Sequence, residues 1–155
     1  MSQENVELVR ALQPAPDVDL VALFGDEGAL EGAIEALGSV LGTEGTAGED
    51  FRSRVNSFGE GVWRHGLDGL RRYWQDWLEP WQSYRTEIVE LLDRGDRVLV
   101  IVNDYGHRRG TEGEVRLFGA AIWTVRDGRA VEAEFYAERR LAYEAVGLEM
   151  PTTHA

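Results

Sequence analysis

The segment AIWTVRDGRAVEAEFY, residues 121–136, decides the fold class of this chain. Its residues follow a period of two, and Asp127 and Gly128 stand at its centre. Asp-Gly suits a type I′ turn, because both central residues of that turn need a positive φ. The segment therefore predicts two antiparallel strands joined by a tight hairpin, with Val125 opposite Ala130.

The period of two extends upstream as far as Tyr84 and indicates a meander of four strands. The breaks between these strands are the turn-forming segments DRGD, RGTEG and DG. Consecutive hairpins of this kind predict an antiparallel sheet. The strands are predicted over residues 85–92, 97–108, 115–125 and 129–138, and a short helix over residues 139–146 follows them.

The first half of the chain has the spacing of helices, with apolar residues three and four apart. A loop over residues 43–50 and a strand over residues 51–58 interrupt this pattern, and Arg52, Arg54 and Asn56 share one face of that strand. Helices are predicted over residues 3–12 and 30–41, and another follows a cap at Asp17. A fourth helix is predicted from about Leu67 to a stop at Pro80, with Trp81 on its apolar face.

Together these elements predict an α+β fold in which helices pack on the concave face of a curved antiparallel sheet. The 155 residues have the size of one domain, so a single domain over residues 1–155 with a tail over residues 149–155 is expected.

The charge and composition of the chain exclude several classes of function. The net charge is -12, which repels nucleic-acid phosphates and anionic lipids, so neither is an expected partner. The chain has no Cys and no Lys, which excludes disulfides, thiolate nucleophiles and Schiff-base chemistry. The N-terminal segment has no apolar signal-like run, and a cytoplasmic location is expected.

The sequence also lacks the motifs of the common cofactor and metal enzymes. It contains no HExxH, GxGxxG, Walker loop or GxSxG, and its three histidines are widely separated. We therefore expect no cofactor and no metal.

Four segments of the chain resemble the SnoaL-like polyketide-cyclase family. They are DVDLVALF (17–24), GLDGLRRYWQDWLEPW (66–81), YRTEIVELLDRGDRVLVIV (84–102) and AIWTVRDGRAVEAEFYAERRLAYEAVGL (121–148). The family belongs to the cone-shaped superfamily of nuclear transport factor two, ketosteroid isomerase and limonene-epoxide hydrolase. The resemblance implies a curved sheet closed by helices around an apolar pocket, often in a homodimer paired through the sheet.

The chain departs from its relatives at positions that matter for chemistry. Ala121 stands where many relatives have His, and the first helix lacks the tyrosine that ketosteroid isomerase uses as an oxyanion donor. Those two catalytic roles are therefore not carried over. Residues 26–50 resemble the family least.

The hairpin register predicts which side chains face the helices. One face is apolar and is placed under the helices, and the other is the expected dimer face with Trp123 and Tyr136. If Arg109 lies opposite Glu114, the inner face contains Leu99, Ile101, Asn103, Tyr105, His107, Phe118, Ala120, Ile122, Val131, Ala133 and Phe135. A slip of one residue would instead turn Asp104 inward.

Three residues of the predicted strand over residues 97–108 are candidate catalytic groups. His107 can exchange a proton near neutral pH, although it is equally compatible with a solvated rim position. Tyr105 can donate a hydrogen bond to a carbonyl or enolate oxygen, or simply pack. Asp104 is a candidate general base if the register slips, because burial would raise its pKa.

The candidate substrate-binding residues are polar groups near these positions and rings facing the expected pocket. Arg54 and Asn56 are candidates to bind an anion or a carbonyl group. The alternative is that they form salt bridges to nearby carboxylates. The remaining candidates are Asn103, Arg116, Trp63, Trp74, Trp77, Phe118 and Phe135.

These observations predict a small-molecule pocket protein, namely a cofactor-independent cyclase, isomerase or hydrolase that acts on an apolar carbonyl compound or epoxide. The alternative is a non-catalytic ligand-binding or dimeric assembly protein with the same fold.

Overall fold

The computed structural model describes residues 2–41, 51–56 and 61–151. The predicted loop over residues 43–50 and Phe58 lie outside this part. The helices are α1 Ser2–Leu12, α2 Leu20–Gly25, α3 Glu27–Leu41, α4 Gly66–Leu78 and α5 Arg139–Ala145. The strands are β1 Arg52–Val55, β2 Arg64–His65, β3 Trp81–Arg94, β4 Arg97–Arg108, β5 Val115–Arg126 and β6 Arg129–Tyr136.

The Asp127-Gly128 hairpin forms as predicted. Asp127 has φ of 52° and Gly128 has φ of 75°, the left-handed values that the turn requires. The four meander strands pair antiparallel in sequence order, and β1 adds to β6 in parallel. The curved sheet has the order β2-β1-β6-β5-β4-β3 and does not close, so the predicted α+β class is confirmed.

Two local predictions in the helical half are wrong, each for a physical reason. Helix α2 is capped by Asp19 rather than by Asp17, because the Asp19 carboxylate accepts from the Val21 amide at 3.0 Å. The same oxygen accepts from the Tyr84 amide at 3.1 Å and so ties α2 to β3. Trp81 begins β3 instead of ending the helix, because α4 stops at Leu78 before Pro80.

The sheet buries apolar side chains on both of its faces. Helices α1 and α4 cover one face, here called the cavity face, and α5 covers part of the other, here called the far face. On the cavity face the buried sheet residues are Val98, Val100, Ala121, Trp123, Val125, Ala130 and Ala133. On the far face they are Leu99, Ile101, Ala120, Ile122 and Tyr136.

A β-bulge between Thr124 and Val125 overturns part of the predicted face assignment. Val125 pairs with Ala130 as predicted, but beyond the bulge Trp123 pairs with Ala133. An extra residue reverses every later side chain, because side chains alternate along a strand. Phe135 therefore shares the cavity face with Trp123, and the prediction that Trp123 lies on an outer dimer face is wrong.

The predicted register of β4 against β5 is wrong by two residues. Gly106 pairs with Val115, whereas Arg109 was expected opposite Glu114. A shift of two keeps the same side chains together, so Asn103 still shares a face with Phe118. That face is the far face, under α5, and the prediction that Leu99, Ile101, Asn103, Ala120 and Ile122 lie under the main helices is wrong.

Gly106 makes room for the ring of Trp81 near the end of β4. A Cβ at position 106 would stand 2.5 Å from two ring carbons of Trp81, which is 5% exposed. We expect Gly106→Ala to lower the free energy of unfolding by about 1–3 kcal/mol, because the ring has to move out of a packed site. Thermal or urea unfolding measures the change.

Gly119→Ala is the matched control for this substitution. A Cβ at position 119 on the neighbouring strand meets its nearest atom at 3.4 Å, an ordinary contact. An equal loss of stability in both variants would contradict a specific role for the Trp81 contact.

Candidate active site

The centre of the candidate site is Asp104, which points from β4 into a cavity between the sheet and α4. Alternation along β4 places Asp104 on the cavity face with Val98, Val100 and Val102. The cavity has a volume of about 140 Å³. Its walls include Tyr73, Trp74 and Trp77 from α4 and Tyr84 and Thr86 from β3. We call it the Asp104 cavity.

One oxygen of the Asp104 carboxyl is anchored and the other is not. The Tyr84 hydroxyl donates to Asp104 Oδ2 at 2.5 Å. Oδ1 is buried and has no hydrogen-bond partner among the residues that the structure describes. A buried polar atom without a partner is costly, and a catalytic role or a bound water or ligand is among the explanations for one in a native fold. Asp104 therefore borders the cavity with a carboxyl whose second oxygen is buried and lacks a hydrogen bond from the described residues.

Burial changes the proton affinity of this group and of its neighbours. The pKa of Asp104 is raised above its ordinary value, because burial disfavours the carboxylate more than Thr86, Tyr84 and Arg139 stabilise it. The pKa values of Tyr84 and Tyr73 are raised as well, first by burial and then by the negative charge of Asp104. Both phenols therefore stay protonated at neutral pH and remain hydrogen-bond donors.

A second, larger cavity lies next to the first, between α1, α2, α3, α4 and the sheet. Its volume is about 440 Å³, and we call it the helix cavity. Its described walls are almost entirely apolar, and Arg71, which pairs with Glu31 at 3.4 Å, is the charged exception. Four residues border both cavities: Gln13, Pro14, Trp74 and Phe135.

Several of the predicted ring residues border these cavities. Trp77 and Phe118 border the Asp104 cavity, and Trp74 and Phe135 border both. Phe118 is nevertheless 51% exposed, since its side chain belongs to the far face. The tryptophans of α4 thus line open space instead of filling a closed core.

The other candidates on β4 and β5 lie outside both cavities. Asn103 Oδ1 accepts from Arg139 Nη2 at 2.9 Å, which satisfies the oxygen of the buried amide. The Tyr105 ring lies between the guanidinium groups of Arg85 and Arg116, at 4.0 and 5.7 Å. His107 Nε2 contacts the Thr111 carbonyl oxygen at 2.5 Å in the hairpin between β4 and β5.

Arg54 of β1 and Asn56, which follows this strand, form a separate network on the far face. Arg54 Nη2 lies 2.8 Å from Glu134 Oε2, and Asn56 Nδ2 donates to that oxygen at 2.9 Å and to the Tyr136 hydroxyl at 3.2 Å. The Arg54 guanidinium also stacks on the Trp63 ring at 4.2 Å. The alternative of salt bridges to nearby carboxylates is therefore the one observed.

Sequence reasoning missed Tyr84 and Tyr73. Tyr84 was placed just before the strand that the structure begins at Trp81, and Tyr73 was not distinguished from the neighbouring aromatic residues of α4. If the register of β3 against β4 had been known, alternation along β3 would have placed Tyr84 and Thr86 on the same face of the sheet as Asp104. A bulge between Ile88 and Glu90 shifts that register.

Over residues 2–41, 51–56 and 61–151 the structure contains no group of three His, Asp or Glu side chains arranged to hold a metal ion. Within the same ranges, no helix is both long and apolar enough to cross a bilayer.

The chain belongs to the SnoaL-like domain family, whose model matches residues 42–133. Among solved structures, a protein assigned as a SnoaL-like polyketide cyclase from Jannaschia sp. CCS1 is similar with a TM-score of 0.61 and 16% identity, over 86% of this chain and 84% of that chain. No curated protein matched the sequence.

Two further structures show the same fold. TerC, co-crystallised with polyporic acid, has a TM-score of 0.58 and 21% identity over 92% of this chain and 98% of its own. A limonene-epoxide-hydrolase-like epoxide hydrolase of M. tuberculosis has a TM-score of 0.53 and 15% identity over 93% of this chain and 90% of its own. At these identities the likeness establishes the fold, which is the cone fold of nuclear transport factor two.

The raised pKa of Asp104 predicts that Asp104→Asn alters stability with a definite pH dependence. A raised carboxyl pKa stabilises the fold below the unfolded-state value of about 4, and this contribution is lost as the pH rises through the folded-state pKa. The neutral amide has no such loss and can still accept from Tyr84. The melting temperature of the variant minus that of the wild type should therefore increase as the pH rises above about 4.

Parallel thermal melts of the two proteins in matched buffers measure this difference. A difference that stays constant or decreases with pH would show that the carboxyl is not held in a desolvated position.

Proposed function

We propose that this protein is a cofactor-independent acid/base enzyme that acts on an apolar carbonyl compound or epoxide in the Asp104 cavity. The observation that carries the proposal is the Asp104 carboxyl, which borders the cavity and has Oδ2 bound by Tyr84 and Oδ1 buried without a partner among the described residues. A buried carboxyl with a raised pKa is suited to take up and return a proton near neutral pH.

In this proposal Asp104 Oδ1 removes a proton from the carbon next to a carbonyl group. The electron pair of the broken C–H bond moves into the enolate, and the proton stays on the carboxyl. Isomerisation returns the proton to another carbon. In cyclisation the enolate carbon bonds to a second carbonyl carbon of the same molecule, the π electrons of that carbonyl move to its oxygen, and this oxygen takes up the proton held by Asp104. With an epoxide, the same oxygen takes a proton from water while the water oxygen bonds to a ring carbon. The C–O bond of the ring breaks, and the proton then passes from the carboxyl to the released alkoxide oxygen.

Two tyrosines support this chemistry in different ways. Tyr84 holds Oδ2, so the carboxyl keeps one orientation and presents Oδ1 to the guest. Tyr73 borders the same cavity as a protonated phenol and can donate to the oxygen on which negative charge develops. Trp77 and Phe135 supply apolar surface that excludes water from the reacting atoms.

The names of two structural relatives are compatible with this class of reaction. One is assigned as a polyketide cyclase and one as an epoxide hydrolase, and both share only the fold with this chain. The proposal for this chain therefore depends on Asp104 and its surroundings, because the fold alone supports many activities.

Deuterium exchange tests the proposal without knowledge of the natural substrate. Aryl methyl ketones are incubated with the protein in D₂O, and NMR follows the loss of the α-proton signal. We expect the wild type to accelerate exchange and Asp104→Asn to reduce the accelerated rate at least about 100-fold, the usual contribution of a positioned general base. Tyr84→Phe should reduce the rate less, because the carboxyl remains but loses its anchor.

His107→Gln and Tyr105→Phe are the controls, since both residues lie outside the two cavities. They should retain the wild-type rate. Binding of the ketones without accelerated exchange in any form of the protein would support the non-catalytic alternative, and exchange that depends on His107 but not on Asp104 would contradict the assignment of the base.

A further inference from the structure

Arg139, the first residue of α5, binds the sheet from its far face at the segment that carries Asp104. Its guanidinium donates to the Val102 carbonyl oxygen at 2.7 Å and to Asn103 Oδ1 at 2.9 Å, both on β4. It also donates to the Gly119 carbonyl oxygen on β5 at 3.3 Å. One side chain therefore joins the two strands at the residues that come directly before Asp104 in β4.

The Asp104 carboxyl lies on the opposite face of this two-stranded segment. Val102 and Gly119 are paired across β4 and β5, and a Cβ at position 119 would stand 4.0 Å from Asp104 Oδ2. The backbone beneath the carboxyl is therefore the backbone that Arg139 binds from behind. Arg139 itself is outside the described walls of both cavities.

The charge of Arg139 also acts on Asp104 across the sheet. It lowers the pKa of this carboxyl and so opposes the larger rise that burial causes. Arg139 lies over the Phe118 ring at 5.3 Å, with Arg116 of β5 and Tyr143 of α5 as its other charged or titratable neighbours. Burial and the charge of Arg116 lower the pKa of Arg139, but a guanidinium stays protonated at neutral pH.

The other titratable groups around the Asp104 cavity are phenols. Tyr84 from β3, Tyr73 from α4 and Tyr136 from β6 border this cavity, and burial raises the pKa of each. A protonated phenol can donate a hydrogen bond but carries no positive charge. Among the described charged groups, Arg139 is therefore the one that offsets the negative charge of Asp104.

We propose that Arg139 is a positioning residue for the Asp104 carboxyl, because it ties β4 to β5 beneath the carboxyl and places one positive charge behind it. This inference rests on the proposed function, in which Asp104 is the base. Loss of Arg139 then changes both the position of the carboxyl and its affinity for a proton, although Arg139 does not touch the substrate.

The first experiment titrates the Asp104 carboxyl and does not depend on turnover. ¹³C NMR follows the aspartate carboxyl carbons against pH, and the Asp104 signal is the one that is missing from Asp104→Asn. We expect Arg139→Gln to raise the midpoint of this signal by about half a pH unit or more, because a positive charge near the carboxylate is removed. Arg139→Lys keeps the charge and should stay closer to the wild type.

The second experiment separates position from charge by measuring the α-proton exchange of aryl methyl ketones in D₂O over a range of pH. If Asp104 is the base, the rate increases with pH through the midpoint of the carboxyl and then levels off. Arg139→Gln should move this profile to higher pH. Arg139→Lys should keep the midpoint but lower the level rate at least about threefold, because one ammonium group cannot reproduce the planar fork that bonds to both strands.

Arg140→Gln is the matched control, because this neighbouring arginine of α5 is exposed and pairs with Glu144 at 2.8 Å. It should leave both the midpoint and the exchange rate unchanged. The proposal is overturned if Arg139→Gln leaves the midpoint unchanged or lowers it, if Arg140→Gln raises it equally, or if Arg139→Lys matches an accelerated wild-type rate. A raised midpoint in Arg139→Gln without accelerated exchange in any form supports the link between Arg139 and Asp104 and overturns the proposed function instead.

Discussion

Side-chain alternation along β4 is the constraint on which the candidate site depends. Asp104 faces the cavity with Val98, Val100 and Val102, while Asn103 on the other face is bound by Arg139. A strand has two sides, so a carboxyl among valines lies in an apolar environment and has to be supported there. Tyr84 supplies that support at one oxygen, and the other oxygen is buried without a hydrogen-bond partner among the described residues.

The buried Asp104 carboxyl, with one unpartnered oxygen, lowers the stability of the fold locally. Burial raises the pKa of Asp104, and the same charge raises the pKa values of Tyr73 and Tyr84 further. The three groups are therefore electrostatically coupled, because the negative charge of the deprotonated carboxyl makes both phenols hold their protons more strongly. The far-face network around Glu134 differs, because Arg54 and Asn56 satisfy its carboxylate with direct charge-assisted bonds.

The helices outside the family match give the pocket its second compartment. Asp19 both caps α2 and accepts from the Tyr84 amide, so α2 is fixed to the strand that anchors Asp104. The Asp104 cavity and the helix cavity are therefore positioned by a common set of contacts.

Much of the fold could be read from local sequence. The Asp127-Gly128 turn, the strand periods and the helix stop before Pro80 depend on neighbouring residues, so the meander and the α+β class were predictable. The family was predictable as well, since motifs over residues 66–148 carry it. Helical spacing predicted most of the apolar residues that line the helix cavity, but it did not predict the cavity itself.

The composition of the active site was decided by the tertiary structure. Bulges at Ile88/Glu90 and Thr124/Val125 shift strand registers, and no residue type announces them locally. Because a single inserted residue reverses the side chains that follow, these bulges place Phe135 beside Trp123 and bring Tyr84 and Thr86 to Asp104. The sequence alone determined which strands exist and which side chains alternate along them. Only the packed sheet, with helices on both faces, decided which set would surround the cavity, because that choice depends on contacts between residues far apart in the chain.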